Sequence, residues 1–438
     1  MTVFETSVTP PSTESAKQQG EARTSSHSRW LSRLLDLYPS LRVPSFRLLW
    51  LGMLPANIAF QMSQVAVGYA AFGLTGSAAA LGIVSLASGV PQLLLGLVGG
   101  VAADRMSRRT VLLGTQSTLA MAALALAILA MTGTLQVWHL AVAALVQGCA
   151  FAFNMPSRQA LIGELVGPKL LRNAVALNNA GMNFNRIAGP SLAGILLAIP
   201  SVGVAGVFSA MTVLYGLVTA SLFRLPKSAN TTSTTVRRKG GWEELLDGLR
   251  YVRASSVLMA LLGMALIPVI VGMPFQTLMP VFADQVYAVG ATGLGSMMAA
   301  VGVGALLGAV GVATISGYSR PAAIQLCLGV GFGVSLTGFA LAPTYLVALV
   351  LLVAVGFTSA AYQALNNTLI MGNTEPRLYG RVMSVYMLTF AAMPLGTFPA
   401  AWIADHVGVR VTVACCGAIV ALSVLAVAVL YKPYSRIR

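Results

Sequence analysis

Acidic side chains are scarce in this chain: 12 Asp and Glu stand against 27 Lys and Arg in 438 residues, and all charged residues together make up 9%. A soluble domain carries about 25% charge, so the composition excludes an ordinary water-soluble fold. Histidine is equally sparse, and His27, His139 and His406 share no motif, so no metal site, cofactor or catalytic centre is expected. The four cysteines, Cys149, Cys327, Cys415 and Cys416, lie inside apolar runs without ligand spacing and read as small packing residues, not as a disulfide framework. A phosphate-binding loop is also missing: Gly302, Gly304, Gly308 and Gly311 follow no strand and precede no Lys-Ser or Lys-Thr, so they read as helix-contact surfaces.

What the chain does have is hydrophobic length. Apolar residues make up 57% of it, and mean hydropathy is +0.80. From Leu48 onward it divides into about twelve apolar segments long enough to span a bilayer, separated by short Gly, Pro or charged punctuation. The expected fold class is an all-α membrane protein with two six-helix halves. The expected organisation is an N-terminal tail over 1–46, a first half over 47–223, a linker over 224–255, a second half over 256–431 and a short tail over 432–438. Within the first tail, Trp30, Leu31, Leu34, Leu35 and Leu37 beside Arg29 and Arg33 are compatible either with an amphipathic helix on the membrane or with a disordered basic tail. The linker ends in Trp242 to Arg253, whose apolar residues recur on one helical face as in an interfacial helix.

The net charge of +15 is scattered among loops rather than gathered on a soluble domain, which argues for membrane topology and against a nucleic-acid partner. Arg105, Arg108, Arg109, Lys169, Arg172, Arg224 and the basic linker all fall in loops of one parity, while the other parity holds only Arg410. Loop Lys and Arg favour the cytoplasmic face, so an even number of spans with both termini in the cytoplasm is expected.

Two motifs narrow the class. The first is Gly100-Val-Ala-Ala-Asp104-Arg105-Met-Ser-Arg108-Arg109, a charged hinge between the second and third spans. The second is Asn185-Arg186-Ile-Ala-Gly189-Pro190-Ser-Leu-Ala193-Gly194, where Pro190 removes a helix donor and small residues admit a close neighbour. The hinge resembles the Gly-x-x-x-Asp-Arg-x-x-Arg-Arg signature of major facilitator superfamily transporters. The second motif resembles the Gly-Pro-x-x-Gly-Gly stretch of their drug/proton antiporters, with Ala193 in place of one Gly. With Arg158-Gln-Ala-Leu-Ile-Gly-Glu164-Leu and Asn173-Ala-Val-Ala-Leu-Asn178, the chain over about 47–431 resembles the bacterial branch that contains enterobactin exporters and macrolide efflux pumps.

That resemblance implies a monomeric multi-pass carrier of the cytoplasmic membrane that exports a drug-like or siderophore-like molecule by alternating access in exchange for protons. It also implies that Gly100, Asp104, Arg105, Arg108, Arg109, Gly189 and Pro190 serve conformational change, with Asp104 facing the start of the eleventh span near Gly380. The apolar interiors of the spans contain no Asp or Glu, which leaves Asp104, Glu164 and Asp284 as the acids for proton coupling.

Polar residues that recur at helical spacing outline a candidate substrate cavity. Asn57, Gln61 and Gln64 share one face of the first span; Gln147, Phe151, Asn154 and Arg158 share one face of the fourth; and Asn179, Asn183 and Arg186 share one face of the fifth. Tyr362 and Asn366 of the tenth span and Tyr386 of the eleventh extend the set into the second half. Polar groups in hydrocarbon face the protein interior or a watered cavity. Arg186 lies about 20 Å into a core of about 30 Å, whereas Arg158, near an inner end, has the alternatives of snorkelling or pairing with Glu164 or Asp104. With arginines and no carboxylate on these faces, the expected substrate is a neutral or anionic amphiphile. The reading from another class is a non-transporting membrane receptor or assembly factor on the same scaffold.

Overall fold

The computed structural model describes residues 38–105, 107–225, 241–314 and 321–430, and among these there is no β-strand. The N-terminal tail, most of the linker, residues 315–320 and the C-terminal tail lie outside the described residues, so the amphipathic reading of Trp30 to Leu37 falls there too. Ten helical stretches are long and apolar enough to cross a membrane. Two further observations bring the rods to twelve. Pro44–Thr75 is a 32-residue helix of spanning length. The 62-residue stretch Val137–Ala198 would extend about 93 Å if straight, three bilayer cores, and so must fold back. It does so at Gly167, whose φ of 68° is left-handed and suits a residue without Cβ. Pro168 then opens the next helix, where a missing donor is harmless. Arg158 and Met182, 24 positions apart, meet at 3.6 Å across this hairpin.

The rods are α1 (Pro44–Thr75), α2 (Ala78–Arg105), α3 (Arg108–Met131), α4 (137–166), α5 (168–198) and α6 (Gly203–Phe223). The second set is α7 (Ser256–Val286), α8 (Gly290–Val312), α9 (Pro321–Leu341), α10 (Tyr345–Gly372), α11 (Tyr379–Val407) and α12 (Val409–Val427). Side-chain oxygens satisfy orphan donors at several starts: Ser107 accepts from the Thr110 amide, Ser255 from Leu258 and Thr344 from Val347. Two rods are interrupted where proline removes the i to i−4 bond. α7 passes through π-turns at Pro268–Gly272 and Phe282–Val286, and α11 breaks at Ala392 before Pro394.

Small residues set how closely the rods approach. A Cβ on Gly304 or Gly308 of α8 would run into the backbone of Val353 or Phe357 in α10, and one on Gly356 of α10 would meet Val301. These glycines make the contact surface expected of them, since association inside a bilayer relies on close van der Waals packing. Between the two sets of six, Gly194 of α5 faces Gly295 of α8: a Cβ on Gly295 would lie 2.8 Å from the Gly194 Cα. Gly82 of α2 packs on Phe398 of α11, and Gly89 of α2 packs on Pro394. These approaches lie in the half of the bundle away from the basic loops.

A tripartite contact secures that same end. The Asp405 carboxylate, near the end of α11, accepts hydrogen bonds from the Ser77 hydroxyl at 2.5 Å, the Ala78 amide at 2.6 Å and the Ala79 amide at 2.9 Å. It therefore caps the positive N-terminus of α2. Arg410, the lone basic residue of the opposite loop parity, sits over the Tyr287 ring at 5.9 Å.

At the basic end, helix Gly241–Ala254 lies against the start of α11, with Gly248 against the Arg381 carbonyl and Asp247 paired with Arg381 at 3.5 Å. Val252 is buried while Leu246 and Leu249 are exposed. The expected single apolar face is thus divided among its described residues: Val252 packs on protein, and Leu246 and Leu249 do not.

Candidate functional site

A chamber of about 440 Å³ lies within the first six helices, lined from α1, α3, α4, α5 and α6. It brings together Asn57, Gln61, Asn154, Arg158, Asn179 and Arg186 of the candidate substrate set. The helical periodicity of the stripes explains this, because the polar faces of α1 and α4 turn toward each other. Arg158 Nη1 donates to Asn57 Oδ1 at 3.1 Å, Ser63 Oγ donates to Gln147 Oε1 at 2.9 Å, and Asn154 Nδ2 donates to Thr115 Oγ1 of α3 at 3.1 Å. Phe60 of α1 stacks on Phe151 of α4 with ring centroids 5.4 Å apart. The chamber wall thus alternates amides, arginines, aromatic rings and the thioethers of Met53, Met155 and Met182.

Of the inner-end alternatives for Arg158, snorkelling and pairing with Glu164 do not hold, and the side chain of Asp104 lies outside the described residues. Arg158 does not snorkel, since it is 3% exposed. Nor does it pair with Glu164, whose carboxylate instead binds Arg108 at 2.8 Å. Besides Asn57, its contacts are the thioether sulfurs of Met155 at 3.4 Å and Met182 at 3.6 Å, and its Nε has no partner. Arg186 is exposed to the cavity and has no hydrogen bond or ion pair among the described residues. The two guanidinium groups are therefore uncompensated by any described carboxylate, and a low-dielectric setting strengthens their field.

A second chamber of about 280 Å³ lies between the two sets of six helices, and Phe60, Gln61, Gln147 and Arg186 line both. Gln64 opens into this second chamber, as do Pro190 of α5, Gln276 and Thr277 of the interrupted α7, and Met393 and Pro394 at the break in α11. Gly189 meets α1 so closely that a Cβ would lie 3.0 Å from the Ile58 carbonyl oxygen. The Gly-Pro pair therefore both holds α5 against α1 and faces the space between the halves.

The candidates from the second half sit elsewhere. Tyr362 is 2% exposed and donates to the Met264 carbonyl at 2.7 Å. Asn366 accepts from Gln325 at 2.6 Å, and Tyr386 meets Phe390 edge-on at 5.3 Å. They border a gap of only about 10 Å³, so they pack among themselves and do not extend the chamber. Arg109 caps the end of α6 through the carbonyls of Leu222 and Phe223 at 3.0 and 2.7 Å. Asp284 is exposed in the second π-turn of α7. Gly100, Asp104 and Arg105 belong to α2, but their side chains, like that of Asn183, lie outside the described part.

Pattern reading missed Gln116, Asn185 and Tyr215 of the chamber wall. Asn185 had a signal, since with Met182 and Asn179 it follows an i, i+3, i+6 row on α5. It also missed Asp405, because a carboxylate beside a loop looks like ordinary punctuation until its partner 327 positions away is known.

A bundle of twelve apolar rods around two polar chambers is the architecture of a membrane carrier. The family model described as transmembrane secretion effector matches residues 37–435, and the chain belongs to this family of the major facilitator superfamily. It is 22% identical to macrolide efflux protein A of Streptococcus pyogenes over 83% of this chain and 90% of that protein. It is 28% identical to the multidrug efflux pump Tap of Mycolicibacterium fortuitum, over 77% and 83%. Against the enterobactin exporter EntS of Shigella flexneri it is 25% identical, over 81% and 83%. A solved bacterial homologue of the human lysosomal transporter Spinster, inward-facing and unoccupied, shares the fold with a TM-score of 0.72 at 14% identity, covering 90% of this chain and 97% of that one. The protein is thus a multi-pass membrane transporter of a bacterial efflux family that handles a small molecule.

Proposed function

We propose that the protein exports a small neutral or anionic amphiphile across the cytoplasmic membrane by alternating access, coupled to protons, as a monomer with both termini in the cytoplasm. The observation that carries the reading is the charged chamber: about 440 Å³, enough for a drug-sized molecule, walled by aromatic and thioether groups, with Arg158 and Arg186 and no described acid. A lipophilic cation placed there would meet uncompensated like charge, whereas a neutral or anionic molecule would not. The second chamber, shared through Phe60, Gln61, Gln147 and Arg186, offers the next station on a path between the halves. Loop charge supports this orientation, with the basic end in the cytoplasm. Proton coupling is proposed from the family resemblance, and Asp104, Glu164 and Asp284 are the acids proposed to serve it, since the apolar interiors of the spans contain none.

The test is uptake into inverted proteoliposomes of matched anionic, neutral and cationic amphiphiles, with and without an imposed proton gradient. Gradient-dependent uptake of the first two and poor uptake of the third is expected. Uptake that persists uphill after the gradient is collapsed removes the proton coupling, good transport of ethidium-like cations removes the charge assignment, and transport of nothing favours a receptor.

A further inference from the structure

We propose that the first chamber contains a carboxylate site centred on Arg158 and formed by the first six helices alone. The inference rests on the chamber being the substrate site, and it adds the chemical group and the residue that holds it. A buried arginine is ordinarily balanced by Asp or Glu, because an uncompensated charge away from water is costly. Arg158 is 3% exposed, yet its neighbours are one amide oxygen and two thioethers, all neutral. The Asn57 amide oxygen fixes Nη1 at 3.1 Å and the sulfurs flank Nη2, so the guanidinium is held in position without being neutralised. Its Nε remains a free donor.

Other buried atoms of the same wall are also unmatched. Asn185 is 1% exposed with both its Oδ1 and Nδ2 unpaired, and Gln147 Nε2 and Gln116 Oε1 lack partners as well. Buried polar atoms are normally satisfied, and so many unmatched ones on the residues of one cavity wall mark side chains that a polar ligand completes once they turn toward it. The donors among them, Arg158 Nε, Gln147 Nε2 and Asn185 Nδ2, suit an oxyanion. The planar guanidinium fork suits a carboxylate in particular, by geometry as well as charge. Beside it, the stacked Phe60 and Phe151 with Met155 and Met182 provide an apolar bed, so the ligand is an amphiphile with a carboxylate head.

Three probes that share one aromatic body isolate the head group: pyrenebutanoate, its primary amide, and pyrenebutylammonium. Binding to the full-length carrier in nanodiscs is measured by equilibrium dialysis, with empty nanodiscs subtracted for lipid partition. The carboxylate is expected to bind at least about tenfold more tightly than the amide, because a charge-assisted hydrogen bond is worth that much or more. Arg158→Gln is expected to lower carboxylate affinity about tenfold more than amide affinity and so erase the preference, and Arg158→Lys to restore part of it. Asn57→Asp places an acid beside the intact arginine and is expected to erase the preference without removing Arg158, which serves if Arg158→Gln does not fold. Equal affinities for the three heads, or a preference that survives both Arg158→Gln and Asn57→Asp, would overturn the proposal. Vesicle uptake of the amide separates the two levels: if it is exported without any carboxylate preference, the chamber remains the substrate site and only the Arg158 assignment fails.

Discussion

Arg158 and Arg186 carry the same charge in the same chamber but stand in opposite settings. Arg158 is pinned by Asn57 and two sulfurs, while Arg186 projects unpaired where the two chambers meet. A pinned cation selects a ligand; an unpaired one at a junction serves a ligand in passage. Arg186→Gln is therefore expected to lower export of an anionic amphiphile by about tenfold, the worth of one charge-assisted contact, with protein abundance unchanged. Initial export rates normalised to carrier in the membrane check this, and an unaltered rate would remove Arg186 from the path. Arg186 was legible in the sequence, since depth in an apolar span and the absence of a nearby acid both follow from counting residues. Arg158 was not: whether a near-terminal arginine snorkels, pairs or stays buried depends on Glu164, and Arg108 from another helix has taken that carboxylate.

Among the elements, the approach of α2 to α11 and of α5 to α8 controls the end away from the basic loops. Asp405 holds the N-terminus of α2 through three hydrogen bonds, and Gly194 and Gly295 bring two backbones together. Asp405→Asn removes the charge from that cap and is expected to weaken the contact of α2 with α11 by about 0.5–1 kcal/mol, discounted for its exposure to solvent. In a cysteine-free background, Ser85→Cys in the second chamber would then react faster with an impermeant maleimide added from that side. An unchanged rate would mean that Asp405 only caps a helix. Gly295→Val places branched carbons where the Gly194 backbone lies. Overpacking of this kind costs about 1–3 kcal/mol, so faster Ser85→Cys labelling and a lower Tm are expected together. The glycine-rich faces of α5 and α8 were visible as small-residue patterns, but nothing in the pattern said that these two helices are neighbours.

At the scale of the molecule, charge distribution and bundle geometry point the same way. Lys and Arg gather on one set of loops, and the described basic end carries the Arg108–Glu164 and Arg381–Asp247 pairs. Reporter fusions are expected to place the N-terminus, the linker and the C-terminus on one face of the membrane; any one of the three on the other face would overturn the proposed orientation. The sequence by itself determined the twelve apolar rods, because spanning length and helical period are local properties that the bilayer enforces on each segment separately, whereas the breaks in α7 and α11 appeared only in the structure, since Pro55, Pro91 and Pro190 lie in unbroken helices. It also determined the polar stripes of α1, α4 and α5. Tertiary structure alone decided which stripes face open space. The amides and arginines of α1, α4 and α5 surround a chamber, while Tyr362, Asn366 and Tyr386 close on Met264, Gln325 and Phe390. The physical reason is that a polar face in the membrane has two ways to be satisfied, a cavity or a partner, and the partner comes from a helix far away in sequence.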